Sequence, residues 1–127
     1  MQQITKRGSD SPLHVKSKAF AVRIVRMVKL LGKDWCLSSL FQQILRSSTS
    51  IHANVRESEF AQSPSDFVSK MHIALKEANE TQGWLEILYE SECIAKNAYD
   101  SLYADTEELI SLLSASIKTV KRNNGLL

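Results

Sequence analysis

The chain has 127 residues, of which 43% are apolar and 24% charged, enough for one domain with an ordinary buried core. It contains only four Gly and two Pro, too few for the many turns of an all-β protein. The net charge of +2 hides a split: residues 1–56 carry ten Lys/Arg against two Asp/Glu, and residues 57–127 carry six against twelve. Such asymmetry bears on partners rather than on fold.

Residues 1–11 are polar and lack the apolar region of a signal peptide; a flexible N-terminal segment is expected there. No apolar run approaches the ~20 residues that span a bilayer, so a cytoplasmic protein without membrane contact is expected. Cys36 and Cys93 have neither zinc nor thioredoxin spacing. They read as small packing residues in a reducing compartment.

Helix 1 is predicted over about 12–31. Ser11-Pro12 is a helix start, with Ser as cap and Pro at the first helical position, and Gly32 is a stop. At ~100° per residue, Leu13, Phe20, Ile24, Met27, Val28 and Leu31 share one face. Lys16, Lys18, Arg23, Arg26 and Lys29 occupy the opposite arc, with Lys33 just beyond.

Helix 2 is predicted over about 36–60, with Leu37, Leu40, Phe41, Ile44, Ser48, Ile51 and Val55 in phase. Ser47, Ser48, Ser50 and Ala53 are small enough to admit a neighbouring helix closely. Serine is a weak helix former, so packing must hold this stretch.

Helix 3 is predicted over about 64–90, started by Ser63-Pro64 with Asp66 three residues after the cap. Phe67, Met71, Ala74, Leu75, Ala78, Leu85 and Tyr89 form its main stripe. A second stripe, Ile73, Trp84 and Ile87, implies burial on two sides and is assigned to a subunit contact.

For helix 4 two signals compete. Asp105-Thr106-Glu107-Glu108 resembles a capping box that would start a helix near 106. Yet Tyr99, Leu102 and Thr106 are in phase with Leu109, Leu113, Ile117 and Val120. One helix over about 95–122 satisfies all of them, and Lys118, Lys121 and Arg122 suit the negative end of its dipole. Residues 123–127 read as a tail. Four helices joined by short loops predict an all-α, antiparallel up-down-up-down four-helix bundle over 12–122.

Two runs carry a family resemblance. Ser50-Ile51-His52-Ala53-Asn54-Val55-Arg56-Glu57 and the stretch from Asp66 through Ala74-Leu75-Lys76-Glu77-Ala78-Asn79-Glu80-Thr81 to Trp84-Leu85 resemble the bacterial four-helix-bundle proteins encoded by intervening sequences of large-subunit ribosomal RNA genes. The likeness extends from about Leu13 to Lys121. Ser58 departs from it, standing where the family usually has Gly. The resemblance implies a ring-shaped homopentamer. Through a relative in fold, the accessory protein of diversity-generating retroelements, it also suggests association with RNA and a reverse transcriptase.

Catalytic and metal chemistry find little support in the residues. A di-iron bundle needs Glu-x-x-His pairs, and no Glu here is followed three residues later by His. His14, His52 and His72 sit singly on three helices. There is no Gly-x-Ser-x-Gly elbow and no Gly-rich phosphate loop. Glu57, Glu77 and Glu80 could converge as an acid–base pair. The structural reading is preferred: Asn54, Glu57, Glu77, Glu80 and Thr81 form a hydrogen-bonded network that fixes register between helices 2 and 3 or between subunits.

Three readings compete for the basic arc of Lys16, Lys18, Arg23, Arg26, Lys29 and Lys33, extended by Arg46. It binds RNA or single-stranded DNA through phosphates; it faces the acidic helices 3 and 4 of a neighbouring subunit; or it is simply solvated. No aromatic ladder accompanies it, so backbone contact rather than base stacking is expected. An anionic membrane is disfavoured because the core claims the helix's apolar face. The expected function is a non-enzymatic, homo-oligomeric, nucleic-acid-associating scaffold without metal or cofactor. A pure protein–protein scaffold is the alternative.

Overall fold

Side-chain capping sets where the first and third helices begin. In the computed structural model, which describes residues 10–126, Ser11 Oγ accepts a hydrogen bond from the His14 amide at 3.0 Å and Pro12 follows in the first turn. Helix α1 runs Pro12–Leu31. Of the expected flexible segment, only Asp10 and Ser11 are among the described residues, and Ser11 is buried. At the other end the Gly32 amide donates to the Val28 carbonyl at 2.7 Å. A Cβ on Gly32 would lie 2.6 Å from that oxygen, so glycine is what lets the helix close this tightly.

A 3-10 turn, Trp35–Leu37, leads into α2, Ser38–Ser58. The α-helix is therefore shorter than the predicted 36–60 at both ends. Asp34 caps the 3-10 turn through the Cys36 amide at 2.9 Å. Beyond Ser58 the amides of Glu59 and Phe60 close back onto the Arg56 and Glu57 carbonyls. Ser58 itself is buried, its hydroxyl donating to the Val55 carbonyl at 2.6 Å.

Helix α3 is Pro64–Glu90. Its start is doubly tied: Ser63 Oγ accepts from the Asp66 amide at 3.0 Å, and Asp66 reaches back to the Gln62 amide at 3.1 Å. Helix α4, Lys96–Asn123, is a single helix. The cap-like tetrapeptide lies inside it because tertiary partners claim its residues: Asp105 pairs with Arg23, and buried Thr106 accepts from Gln82 Nε2 at 2.9 Å. Gly125, at φ +67°, ends the helix, with the Leu126 amide on the Lys121 carbonyl at 2.8 Å. Leu127 lies outside the described residues.

Cross-helix contacts pair rising with falling numbers at every seam: His14 with Glu59 and Ser17 with His52; Arg46 with Glu80 and Glu57 with Lys70; Gln82 with Thr106 and Tyr89 with Tyr99; Lys16 with Glu108 and Arg23 with Asp105. Sequential helices are thus antiparallel, and α4 closes back on α1. Among the described residues there is no strand. The α2/α3 seam is the most extensive and the α1/α4 seam the least.

The core is a column of Phe20, Ile24, Phe41, Ile44, Ile51, Phe67, Met71, Leu85, Leu88, Leu109 and Leu113, all essentially excluded from solvent. At the thin α1/α4 seam an apolar cavity of about 420 Å³ opens, lined by Leu13, Val55, Met71 and Leu112 with hydroxyls from Ser116 and Thr119. Among the described residues no charged side chain lines it.

Helix α3 ends through Glu92 at φ 62°, a left-handed conformation that costs a non-glycine residue roughly 1–2 kcal/mol. Glu92→Gly should therefore stabilise the fold by about 1 kcal/mol, read as a higher urea midpoint at unchanged slope.

Candidate functional site

Helix α1 holds two sets of cations, and tertiary contacts separate them. Lys16 pairs with Glu108 of α4. Arg23 donates to Asp105 at 2.5 Å and to Ser101 Oγ at 3.0 Å. These two side chains lie on the flank of α1 that faces α4. Lys18, Arg26 and Lys29 project from an arc of about 80° at ~100° per residue, and all three are exposed, as is Lys33 beyond the helix. None of these four has an ion-pair partner among the described residues. Val15, Val22 and Val25 are 51%, 40% and 39% exposed on the same outer face. A shallow groove of about 530 Å³ runs along it, lined by Val15, Lys18, Val22 and Arg26.

Arg46, placed on the basic patch by sequence alone, is committed elsewhere. It donates to Glu77 at 3.1 Å and also pairs with Glu80. Glu77, then Glu80, hold its guanidinium more firmly charged than usual. Glu77 Oε2 also accepts from Ser50 Oγ at 3.1 Å, and Asn54 donates to the Ser50 carbonyl at 2.9 Å. Glu80 Oε2 accepts from the Trp84 indole N–H at 3.1 Å. That bond, ahead of the Arg46 contact, holds the Glu80 carboxyl below its usual range despite partial burial. The Thr81 and Ser47 hydroxyls, both excluded from solvent, meet at 2.8 Å. So Arg46 with Glu77 and Glu80, and Ser47 with Thr81, join α2 to α3 within one chain, while Asn54 bonds to Ser50 of its own helix. Glu57 stays outside, exposed, 3.9 Å from Lys70.

The expected second stripe of α3 divides. Ile73 and Ile87 are 40% and 47% exposed. Trp84 is half-buried, packed on the core and tied to Glu80.

Sequence reasoning missed one cluster. His14 and His52 do not sit singly: their rings meet edge-to-face with centroids 5.0 Å apart. His14 Nδ1 lies 2.6 Å from Glu59 Oε2, and His52 Nδ1 lies 2.8 Å from Ser17 Oγ. Each histidine lies on the flank of its helix that faces the other, but only the α1/α2 register shows that the two are level. The Ser17–His52 contact is not a nucleophile pair in working form, because Ser17 is wholly buried. Among the described residues no group of His, Cys, Asp and Glu is arranged to hold a metal ion. Cys36 and Cys93 are both free; Cys36 is exposed rather than packed, while Cys93 lies against the core.

The model of a known protein family matches residues 10–115 of the chain, a span that reaches from the cap of α1 into the last third of α4. The chain belongs to the 23S rRNA-intervening sequence proteins. It is similar to a protein of unknown function from the S23 ribosomal protein family of Bacteroides thetaiotaomicron, known from a 1.70 Å crystal structure. Identity is 49% and the TM-score 0.80, over 84% of this chain and 95% of that one. Among curated proteins none matches. No helix among the described residues is long and apolar enough to cross a membrane.

In this intervening-sequence protein His52 gives the fold a pH dependence whose sign follows from its surroundings. Burial, then the neighbouring charges of His14, Arg56 and Lys18, pushes the His52 pKa below its usual value. The unfolded chain thus binds a proton more readily than the folded one. Stability is full above the ordinary histidine pKa near 6.5 and falls as pH drops through it towards the lower folded value. Thermal unfolding of the wild type at pH 7.5 and 5.5 should show a larger loss than that of His52→Gln. An equal loss removes His52 from the account.

Proposed function

We propose that the chain is a non-enzymatic, self-associating cytoplasmic scaffold that binds RNA or single-stranded nucleic acid along the outer face of α1. The observation that carries this reading is the sorting of the cations: Lys16, Arg23 and Arg46 are neutralised by carboxylates of their own chain, whereas Lys18, Arg26, Lys29 and Lys33 have no such partner among the described residues. A line of unpaired cations along one exposed helix face is the electrostatic arrangement that exchanges counterions for phosphates. The family's description ties its members to intervening sequences of 23S rRNA, which supports an RNA-associated role. The pure assembly reading, in which basic helices meet acidic helices of a neighbour, is weakened because much of that complementarity is used within the chain, at Lys16–Glu108 and Arg23–Asp105.

A gel shift tests the reading. Wild type should retard RNA or single-stranded DNA at ~50 mM salt and release it by ~200 mM. Arg26→Glu, Lys29→Glu and Lys33→Glu together should abolish the shift at unchanged helicity, whereas Lys16→Gln with Arg23→Gln should weaken it less than about threefold. No wild-type shift at the lower salt ends the proposal.

Self-association draws support from exposed Ile73 and Ile87, which lie clear of the core that α3 helps to build. Ile73→Asp with Ile87→Asp should lower the mass seen by light scattering without unfolding the monomer. An unchanged mass assigns the contact elsewhere.

A further inference from the structure

Trp35 stands in water. It is 82% exposed, although an indole buries some 150–250 Å² when packed. Its backbone, by contrast, is firmly held. Asp34 Oδ1 accepts from the Cys36 amide at 2.9 Å on one side, and Ser38 Oγ donates to the Trp35 carbonyl at 2.9 Å on the other. The Gly32 amide ties the start of the turn to Val28. A fixed turn that displays a large flat ring presents it at little ordering cost to a ligand.

The charge around the ring has one sign in excess. Lys33 lies two residues before Trp35, Lys29 sits in the last turn of α1, and Arg26 lies one turn earlier; none is ion-paired among the described residues. From Lys18 to Lys29 these cations follow one side of α1 for about 16 Å at ~1.5 Å per residue, and the turn that carries Trp35 follows the C-terminal end of that helix. Phe60, at the opposite end of the bundle, makes a useful contrast. It is 84% exposed, but its groove mixes Arg56 and Lys70 with Glu57 and Asp66.

We infer that Trp35 is a base-stacking platform in the turn that follows the α1 cation line, so that the favoured ligand is a nucleic-acid strand with unpaired bases. The inference rests on the nucleic-acid reading above and narrows it. Backbone cations alone do not distinguish a duplex from a single strand. An indole face does, because only an unpaired base can leave its neighbours and lie on it. The basic arc carries no aromatic ladder, and in place of the backbone contact expected from that, this proposal assigns stacking to the single indole of Trp35, which follows the arc through the turn rather than through the helical repeat. Leu30 and Leu31 are also exposed here, at 75% and 43%, and aliphatic groups beside lysines suit an anionic lipid surface too. The linear run of cations back to Lys18 favours a strand, since a membrane would engage charges gathered around the tip.

The test is fluorescence anisotropy with labelled oligo(rU) and with a duplex RNA at ~50 mM salt. Trp35→Ala should weaken single-strand binding by about tenfold, within the roughly 5- to 150-fold expected for one stacked base. It should leave duplex binding within about twofold, and Phe60→Ala should change neither. Trp35→Phe should recover most of the loss. If Trp35→Ala leaves oligo(rU) binding intact, or weakens duplex and single strand equally, the stacking inference falls while nucleic-acid binding stands. If wild type binds neither, both fall. If phosphatidylglycerol vesicles bind through Trp35 while the oligonucleotide is indifferent to it, the turn is a lipid contact and the inference is overturned.

Discussion

The close approach of α2 to α3 is the constraint on which the molecule rests. Ser47, Ala74 and Ala78 are wholly buried and small, so the two backbones can come together as longer side chains would not allow. Water is excluded there, and the Thr81 and Ser47 hydroxyls must satisfy one another, as they do at 2.8 Å. A helix with Ser38, Ser39, Ser47, Ser48, Ser50 and Ser58 has little intrinsic reason to persist. Packing on α3 supplies that reason, and the register it imposes brings Arg46 to Glu77 and Glu80.

From that seam the rest of the bundle is hung. Helix α1 docks on α2 through His14, His52, Ser17 and Glu59, a polar cluster largely shut from water. It meets α4 more thinly, through Lys16 and Arg23 on carboxylates of the acidic half. Part of the charge asymmetry between the two halves of the chain is therefore an internal device, matching basic helices to acidic ones along two seams. Exposed pairs of this kind stabilise little individually; their consequence is to sort the cations into committed and available sets.

The available set gives the outer face of α1 its character. Its charge has no ion-pair partner among the described residues, its valines are half in water, and the turn that follows the helix holds an exposed Trp35. Beneath the start of the same helix lies His52, whose pKa burial pushes down, so acidification works against the fold at the α1/α2 seam.

The helices, their number and their phase were legible in the sequence, because burial repeats at the helical period whatever the partner. Tyr99 through Val120 read as one helix despite the cap-like Asp105-Thr106-Glu107-Glu108, and about six turns of consistent phase outweighed four polar residues. The ends were less legible. Trp35–Leu37 became a 3-10 turn, and α3 stops through Glu92, a residue with no intrinsic preference for the conformation it adopts. What tertiary structure alone decided is which polar groups meet. Arg46 reads as a surface cation until α3 sets Glu77 and Glu80 beside it, and His14 and His52 read as unrelated until α1 and α2 align them. The physical reason is range. An apolar stripe is a local, periodic property of one helix, whereas an ion pair or a ring contact depends on two helices separated by tens of residues coming into register to within an ångström or two.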